Sequence, residues 1–330
     1  MKRLPIWLRG ALAALLTLAA SAAASAQDYP SKQDYPNKAV TIISDAGAGS
    51  SVDVATRVIA AGLGKIWGQT VAVVNHPGAN GSIAARAASE VAADGYTLYT
   101  PASSTFIALP TVAPNLPVKL PRDFLPVGFL ADQPMFIAVN PASGITSLRQ
   151  LIDRAKAAPG TISTAVSGVG RITHLTSILI AQRAGITLVP VPYTGGPSAA
   201  LADVASGRVT TIIEGYTGII GAVNARQVKL IATGAPQRLA EFPELPTVAE
   251  TIPDLSASGW IVMAAPLGTP ASVIAKVNAD LAKVVGDPVV KKRLAVMGNY
   301  THPMTPEETQ AFVVKQQDIW RPVIQSLATR

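Results

Sequence analysis

The chain has 330 residues, 27 Lys and Arg against 20 Asp and Glu, a formal charge of +7, and no cysteine. The missing cysteine excludes disulfides, thiolate zinc sites, a cysteine nucleophile and the lipid acceptor of a lipoprotein. Positive residues do not cluster, the densest run being Lys291-Lys292-Arg293, and aromatics are 5% of the chain, so the basic, stacking face that nucleic-acid binding needs is absent.

Residues 1–26 read as a secretory signal: Lys2, Arg3 and Arg9, then an apolar run from Ala11 to Ala20, then the cleavage pattern Ala24-Ser25-Ala26. The apolar run is shorter than the ~20 residues needed to span a bilayer. Cleavage leaves 24 basic against 20 acidic residues, or +4. A soluble periplasmic chain of two compact domains is expected, on a prior of ~150 residues per domain.

Strand and helix patterns then alternate. Val40-Thr41-Ile42-Ile43 is a β-branched run, followed by the turn Gly47-Ala48-Gly49-Ser50-Ser51-Val52-Asp53 and a helix with Val52, Ala55, Ile59, Leu63 and Ile66 on one face. Gly68-Gln69 ends it. Val71-Ala72-Val73-Val74 repeats the design, with the turn Asn75-His76-Pro77-Gly78-Ala79-Asn80-Gly81 and a helix from Gly81 to Ala93. Tyr96 to Tyr99 is a third strand, and Pro110 to Pro126 reads as an extended surface connection.

After a strand at Met135 to Val139 the alternation restarts. Helices are predicted over 148–157, 173–184 and 199–206 and near Ile219, and strands over 162–165, 188–191, 209–213 and 228–232. A prolyl stretch from Pro236 to Pro253 precedes a strand at Trp260 to Ala264, and helices begin at Ala271, Pro288 and Pro306. The last presents Phe312, Ile319, Val323 and Leu327. Such βαβ alternation predicts an α/β fold around largely parallel sheets. The restart and return predict one lobe from 27–134 and 260–330, with 135–259 inserted as a second lobe and a ligand cleft between them.

Each glycine turn lets backbone approach a guest and opens a helix whose first N–H groups are unpaired, which suits an anion. Ser50 and Asp53 have capping-box spacing, and Asp53 is assigned to structure because it would repel an anion. Ser167-Gly168-Val169-Gly170-Arg171 repeats the design but lacks the third glycine of a dinucleotide fingerprint. Arg171 offers a bidentate clamp for a distal carboxylate, with a solvated first-turn arginine as the alternative. Tyr193-Thr194-Gly195-Gly196 and Tyr216 follow later strands, each tyrosine being a candidate for ligand or structure. His174 reads as a packing residue, and no His, Asp or Glu spacing resembles a metal site. No G-x-S-x-G, S-x-x-K, P-loop or H-E-x-x-H motif occurs, so neither cofactor nor catalysis is expected.

Taken in order, Gly49-Ser50-Ser51-Val52-Asp53-Val54-Ala55-Thr56-Arg57, Asn75 to Gly81, Asp94-Gly95-Tyr96-Thr97-Leu98, Ser167-Gly168-Val169-Gly170 with His174-Leu175, Val191-Pro192-Tyr193-Thr194-Gly195, Leu245-Pro246-Thr247-Val248, Trp260 and Pro266 to Pro270 resemble the periplasmic receptors of tripartite tricarboxylate transporters, the Bordetella uptake gene (Bug) group. The resemblance covers the whole mature chain. It implies a two-lobed Venus-flytrap fold of the periplasmic-binding-protein type, each lobe a mixed, largely parallel sheet flanked by helices. It also implies a monomeric receptor, not an enzyme, that closes on a small organic mono- or dicarboxylate and hands it to membrane permease subunits. The residues carried over are Gly49, Ser50 and Ser51; Pro77, Gly78, Ala79 and Gly81; and Ser167, Gly168, Gly170, Tyr193, Thr194 and Gly195. Ser50, His76, Arg171 and Thr194 depart from the family's usual glycine, arginine, small residue and lysine. A sensory receptor of the same fold and a secreted α/β hydrolase are the alternative readings.

Overall fold

The computed structural model describes residues 35–119 and 121–328. The signal expected at residues 1–26 lies outside them. Among the described residues nine strands form one sheet in two parts that share a strand.

The first part begins with β1 (Val40–Ser44), α1 (Ser51–Trp67), β2 (Val71–Asn75), α2 (Ser82–Ser89) and β3 (Thr97–Thr100), the three strands being parallel. The helix α1 starts where Ser50 Oγ accepts the Asp53 N–H at 3.3 Å and stops at Gly68, whose φ of 63° closes the last turn. Its buried face holds Val52, Ala55, Val58, Ile59 and Leu63, whereas Ile66, expected on that face, is 41% exposed. At 100° per residue Ile66 lies only about 20° from buried Ile59, so it keeps that face but stands in the last turn, at the helix end.

Two short helices, α3 (Ser103–Ile107) and α4 (Leu109–Val112), then lead to β4 (Phe124–Val139). The segment Pro110 to Pro126 is mostly exposed or half-buried, as a surface connection should be, but it buries Val118 and Phe124 and its end is already strand. Pro126 and Pro134 concealed the front of this 16-residue strand. Proline cannot donate to a ladder, and here the register slips beside Pro126, on the strand that ends the first part of the sheet.

The second part comprises α5 (Leu148–Ala157), β5 (Ile162–Val166), α6 (Ile172–Ala184), β6 (Leu188–Pro192), α7 (Pro197–Ala205), β7 (Thr211–Gly215), α8 (Tyr216–Asn224) and β8 (Lys229–Thr233). The chain returns through β9 (Ser258–Pro266) and closes with α9 (Ala271–Gly286), α10 (Pro288–Ala295) and α11 (Pro306–Ala328). β4 joins the parts: residues 124–134 pair antiparallel with β9, while 135–139 pair with β7 and β8. The strand orders are therefore β2-β1-β3-β9-β4 and β8-β4-β7-β5-β6.

Helices cover both faces, which is why β4 and β9 are buried along nearly their whole length. On one face α1 and α9 bury Ile59, Leu63, Val277 and Leu281 against Ile42, Leu98, Leu130 and Met263. On the other, one cluster runs from Tyr99 and Phe129 through Trp260 to Ile137 and Ile213, under α6 and α11. α11 presents Val313, Trp320, Val323 and Ile324 to it, while Ile319, expected inside, is 55% exposed. The buried stripe is set by Trp320, one residue on. Truncating a side chain such as Leu63 or Trp320 to Ala should cost about 2–5 kcal/mol. Among the described residues no helix is long and apolar enough to cross a membrane.

Candidate ligand site

All six parallel strands point their carboxyl ends at one cavity of about 410 Å³. Its lining comes from the loops after β1 (Asp45, Ser50, Ser51), β2 (Pro77 to Gly81), β3 (Ala102, Ser104), β5 (Ser167, Arg171), β6 (Tyr193, Thr194, Gly196) and β7 (Gly218), with Glu214 at the end of β7 itself. Ligands of open parallel sheets sit at this edge because connecting backbone converges there. Helices α1, α2, α6 and α7 all start at this rim, directing their first-turn N–H groups and positive dipole ends toward it.

The two first-sheet turns are braced together. Asn75 Nδ2 donates to Ala46 O at 2.9 Å and to Asp53 Oδ1 at 2.8 Å, and Asp53 Oδ2 accepts the Gly49 N–H at 2.9 Å. Burial opposes ionisation of Asp53, but hydrogen bonds from Arg57, Asn75 and Gly49 hold its carboxyl below the usual range. The Gly49 and Ser50 amides are engaged within the turn, so the donors left at this helix start are those of Ser51 and Val52. In the second turn Gly78, Ala79, Asn80 and Gly81 all have positive φ, an unusual run that includes two L-residues. Strain of this kind is held by its surroundings and concentrates at ligand loops.

On the opposite side, His174 Nδ1 accepts the Gly170 N–H at 3.0 Å and Thr173 Oγ1 accepts the Ser167 N–H at 2.9 Å, fixing the third glycine turn. Asn80 from the first part sits against this turn, close to both Gly168 and Gly170. Below the cavity, Ser51 Oγ donates to Thr217 Oγ1 at 3.1 Å and Asn299 Nδ2 donates to Ser51 Oγ at 3.2 Å, tying α1 to α8.

Of the residues singled out from sequence, Ser50, Ser51, Pro77, Gly78, Ala79, Gly81, Ser167, Arg171, Tyr193 and Thr194 lie on the lining. Gly49, Gly168 and Gly170 shape the turns behind it, and Gly195 is exposed beside Gly196, which takes the lining position. Tyr216 is buried between Phe136 and Phe242. The Tyr193 phenol turns away and donates to Asp203 Oδ2 at 2.5 Å; burial and this bond push it up to about 12.

Sequence reading passed over Asp45, Ser104, Gln133 and Glu214. Asp45 and Glu214 each sit at a strand's carboxyl end beside a glycine turn, the one signal that pointed to them. Asp45 accepts the Ala102 N–H at 3.0 Å and the Thr105 hydroxyl, and lies 3.9 Å from the Arg171 guanidinium. Burial pushes Glu214 up to about 7, opposed by the Gly215 N–H and by Arg171. Ser104 Oγ and Gln133 Nε2 are buried without a hydrogen-bond partner among the described residues. No group of three or more metal-ligating side chains occurs among those residues.

Two α/β layers joined by crossing strands, with a polar cavity at their seam, define a periplasmic binding protein. The chain belongs to the tripartite tricarboxylate transporter family receptor (TctC) group, whose family profile matches residues 55–329. It is 32% identical to a UPF0065 protein of Bordetella bronchiseptica over 96% of this chain and 91% of that one. It is 31% identical to Protein BugT of Bordetella pertussis over 96% and 95%. Among solved structures it superposes on R. palustris Rpa4515 with adipate at a TM-score of 0.84, with 28% identity over 88% of this chain and 98% of that one. MatC from Rhodopseudomonas palustris with bound malate gives 0.79, with 25% identity over 88% and 100%. The chain is thus a solute-binding receptor of the Bug type and not an enzyme.

Proposed function

We propose that this receptor works in the periplasm, after cleavage behind Ala26, as a monomer that captures a small organic carboxylate between lobes 27–134 with 260–330 and 135–259, and delivers it to a tripartite tricarboxylate-type permease. The observation that carries this reading is the ring of four helix starts and six carboxyl-end loops around one cavity. Adipate in Rpa4515 and malate in MatC support the ligand class. Ser51, Val52 and the Pro77 to Gly81 turn would hold one carboxylate, and Ser167, Arg171 and Thr194 would meet the rest of the ligand.

Helix starts contribute about 0.3–1 kcal/mol each, up to ~2 when partly buried, whereas micromolar affinity corresponds to roughly 8 kcal/mol. Lobe closure must therefore add charge-assisted hydrogen bonds and apolar burial, with affinity greater for the closed form. The test is thermal unfolding of residues 27–330 with small carboxylates. Ligand at about 100 times its dissociation constant should stabilise by about 2.7 kcal/mol. A shift with neutral sugars or amines and none with acids would overturn the ligand class. Co-purification of the liganded receptor with its permease tests delivery.

A further inference from the structure

The ionisable side chains that border the cavity are Asp45, Arg171 and Glu214, besides the Tyr193 phenol that turns away from it. Arg171 is 3.9 Å from Asp45, so its charge is already partly matched. Glu214 is differently placed. Its Oε1 accepts the Gly215 N–H at 2.9 Å, and Oε2 makes no hydrogen bond among the described residues. β4 sets Phe136 opposite it, and β5 contributes no ionisable side chain. On the β6–α7 side Tyr193 is bound to Asp203, which pairs with Arg208, and on α8 Tyr216 is packed among aromatic rings. At the start of α6, which packs on β7, stand Arg171 and His174, whose Nδ1 accepts the Gly170 N–H; Arg171 is the cation that acts on Glu214, and it is shared with Asp45.

An ionised Glu214 and a ligand carboxylate in one small cavity repel each other, whereas a neutral Glu214 offers an O–H donor. We infer that Glu214 contacts the ligand as the neutral acid, donating its proton in a hydrogen bond to a ligand carboxylate oxygen, so that capture takes up a proton from solvent. The inference rests on the carboxylate-receptor reading and deepens it. Burial favours the neutral form of Glu214 against the opposing Gly215 N–H and Arg171, and a bound anion favours it further.

The experiment is calorimetric titration of the intact mature chain with straight-chain mono- and dicarboxylates of three to eight carbons, adipate and malate among them, in phosphate and in Tris. Between about pH 6.5 and 8.5, where such ligands are fully ionised, wild-type affinity should weaken about twentyfold, with buffer-dependent heats reporting proton uptake. Glu214→Gln keeps a neutral donor, so it should bind within about threefold of the wild type at pH 6.5 and lose the pH slope. A pH-independent wild type would overturn the inference and leave the receptor reading standing. So would loss of binding in a normally melting Glu214→Gln, since an ionised acceptor would then be required. Absence of binding across the whole panel would overturn both.

Discussion

The guanidinium of Arg171 reaches from the second sheet to within 3.9 Å of the Asp45 carboxylate on the first, with Asp45 fully buried and Arg171 mostly so. The acid has further partners in Ala102 N–H and the Thr105 hydroxyl, so the two ends of the pair are not equivalent. Asp45→Ala strands a buried N–H, a hydroxyl and a guanidinium, and should destabilise by about 2–4 kcal/mol in urea unfolding. Arg171→Met leaves Asp45 hydrogen-bonded and should cost no more than about 1 kcal/mol while weakening carboxylate binding roughly tenfold. Equal destabilisation by the two variants would contradict this asymmetry.

Gly81 has φ 96°, and a Cβ there would strike the Thr105 hydroxyl and come within 2.8 Å of Asp45 Oδ2. Gly81→Ala should lower stability by about 1–3 kcal/mol and abolish the carboxylate-induced rise in melting temperature. Gly68, at φ 63° but in open space, is the control: Gly68→Ala should cost about 1 kcal/mol and bind normally. Matching losses of binding in both variants would show that the turn's shape is immaterial.

Without ligand, Glu214 makes the fold more stable in acid. Its native value near 7 lies above the ~4.3 of an unfolded glutamate, so its contribution is complete below the lower value and is lost as pH rises through the higher one. Glu214→Gln should match the wild type near pH 4 and exceed it by roughly 2 kcal/mol at pH 8. Parallel stability curves for the two proteins would remove the basis for this assignment.

Asp280 behaves in the opposite sense. Burial opposes its ionisation, but hydrogen bonds from Lys276, Lys283 and Trp67 hold its carboxyl below the ordinary value. Its contribution is present above ~3.9 and lost as pH falls through the depressed native value. Asp280→Asn should cost about 1–3 kcal/mol at pH 7, with the difference shrinking below about pH 4. Chemical denaturation at pH 7 and pH 3 measures both.

What the order of residues determined unaided was local. Ser50 before a helical stripe, Gly68 after it and β-branched runs ahead of glycine turns act over a few residues through backbone hydrogen bonds and periodicity, and those elements stand where they were expected. The family motifs extend this to two lobes, since they mark the same turns in order. The front of β4 escaped because Pro126 and Pro134 interrupt its pattern, and pairing with β9 overrides that local preference. The character of the site was decided only in three dimensions. Nothing near Asp45 announces Arg171, nothing near Tyr193 shows that its phenol turns to Asp203, and Glu214 is an ordinary acid until packing removes its water. Charge and hydrogen-bonding capacity depend on which groups approach through space and on how far they are desolvated, and chain folding sets both at distances that no sequence window spans.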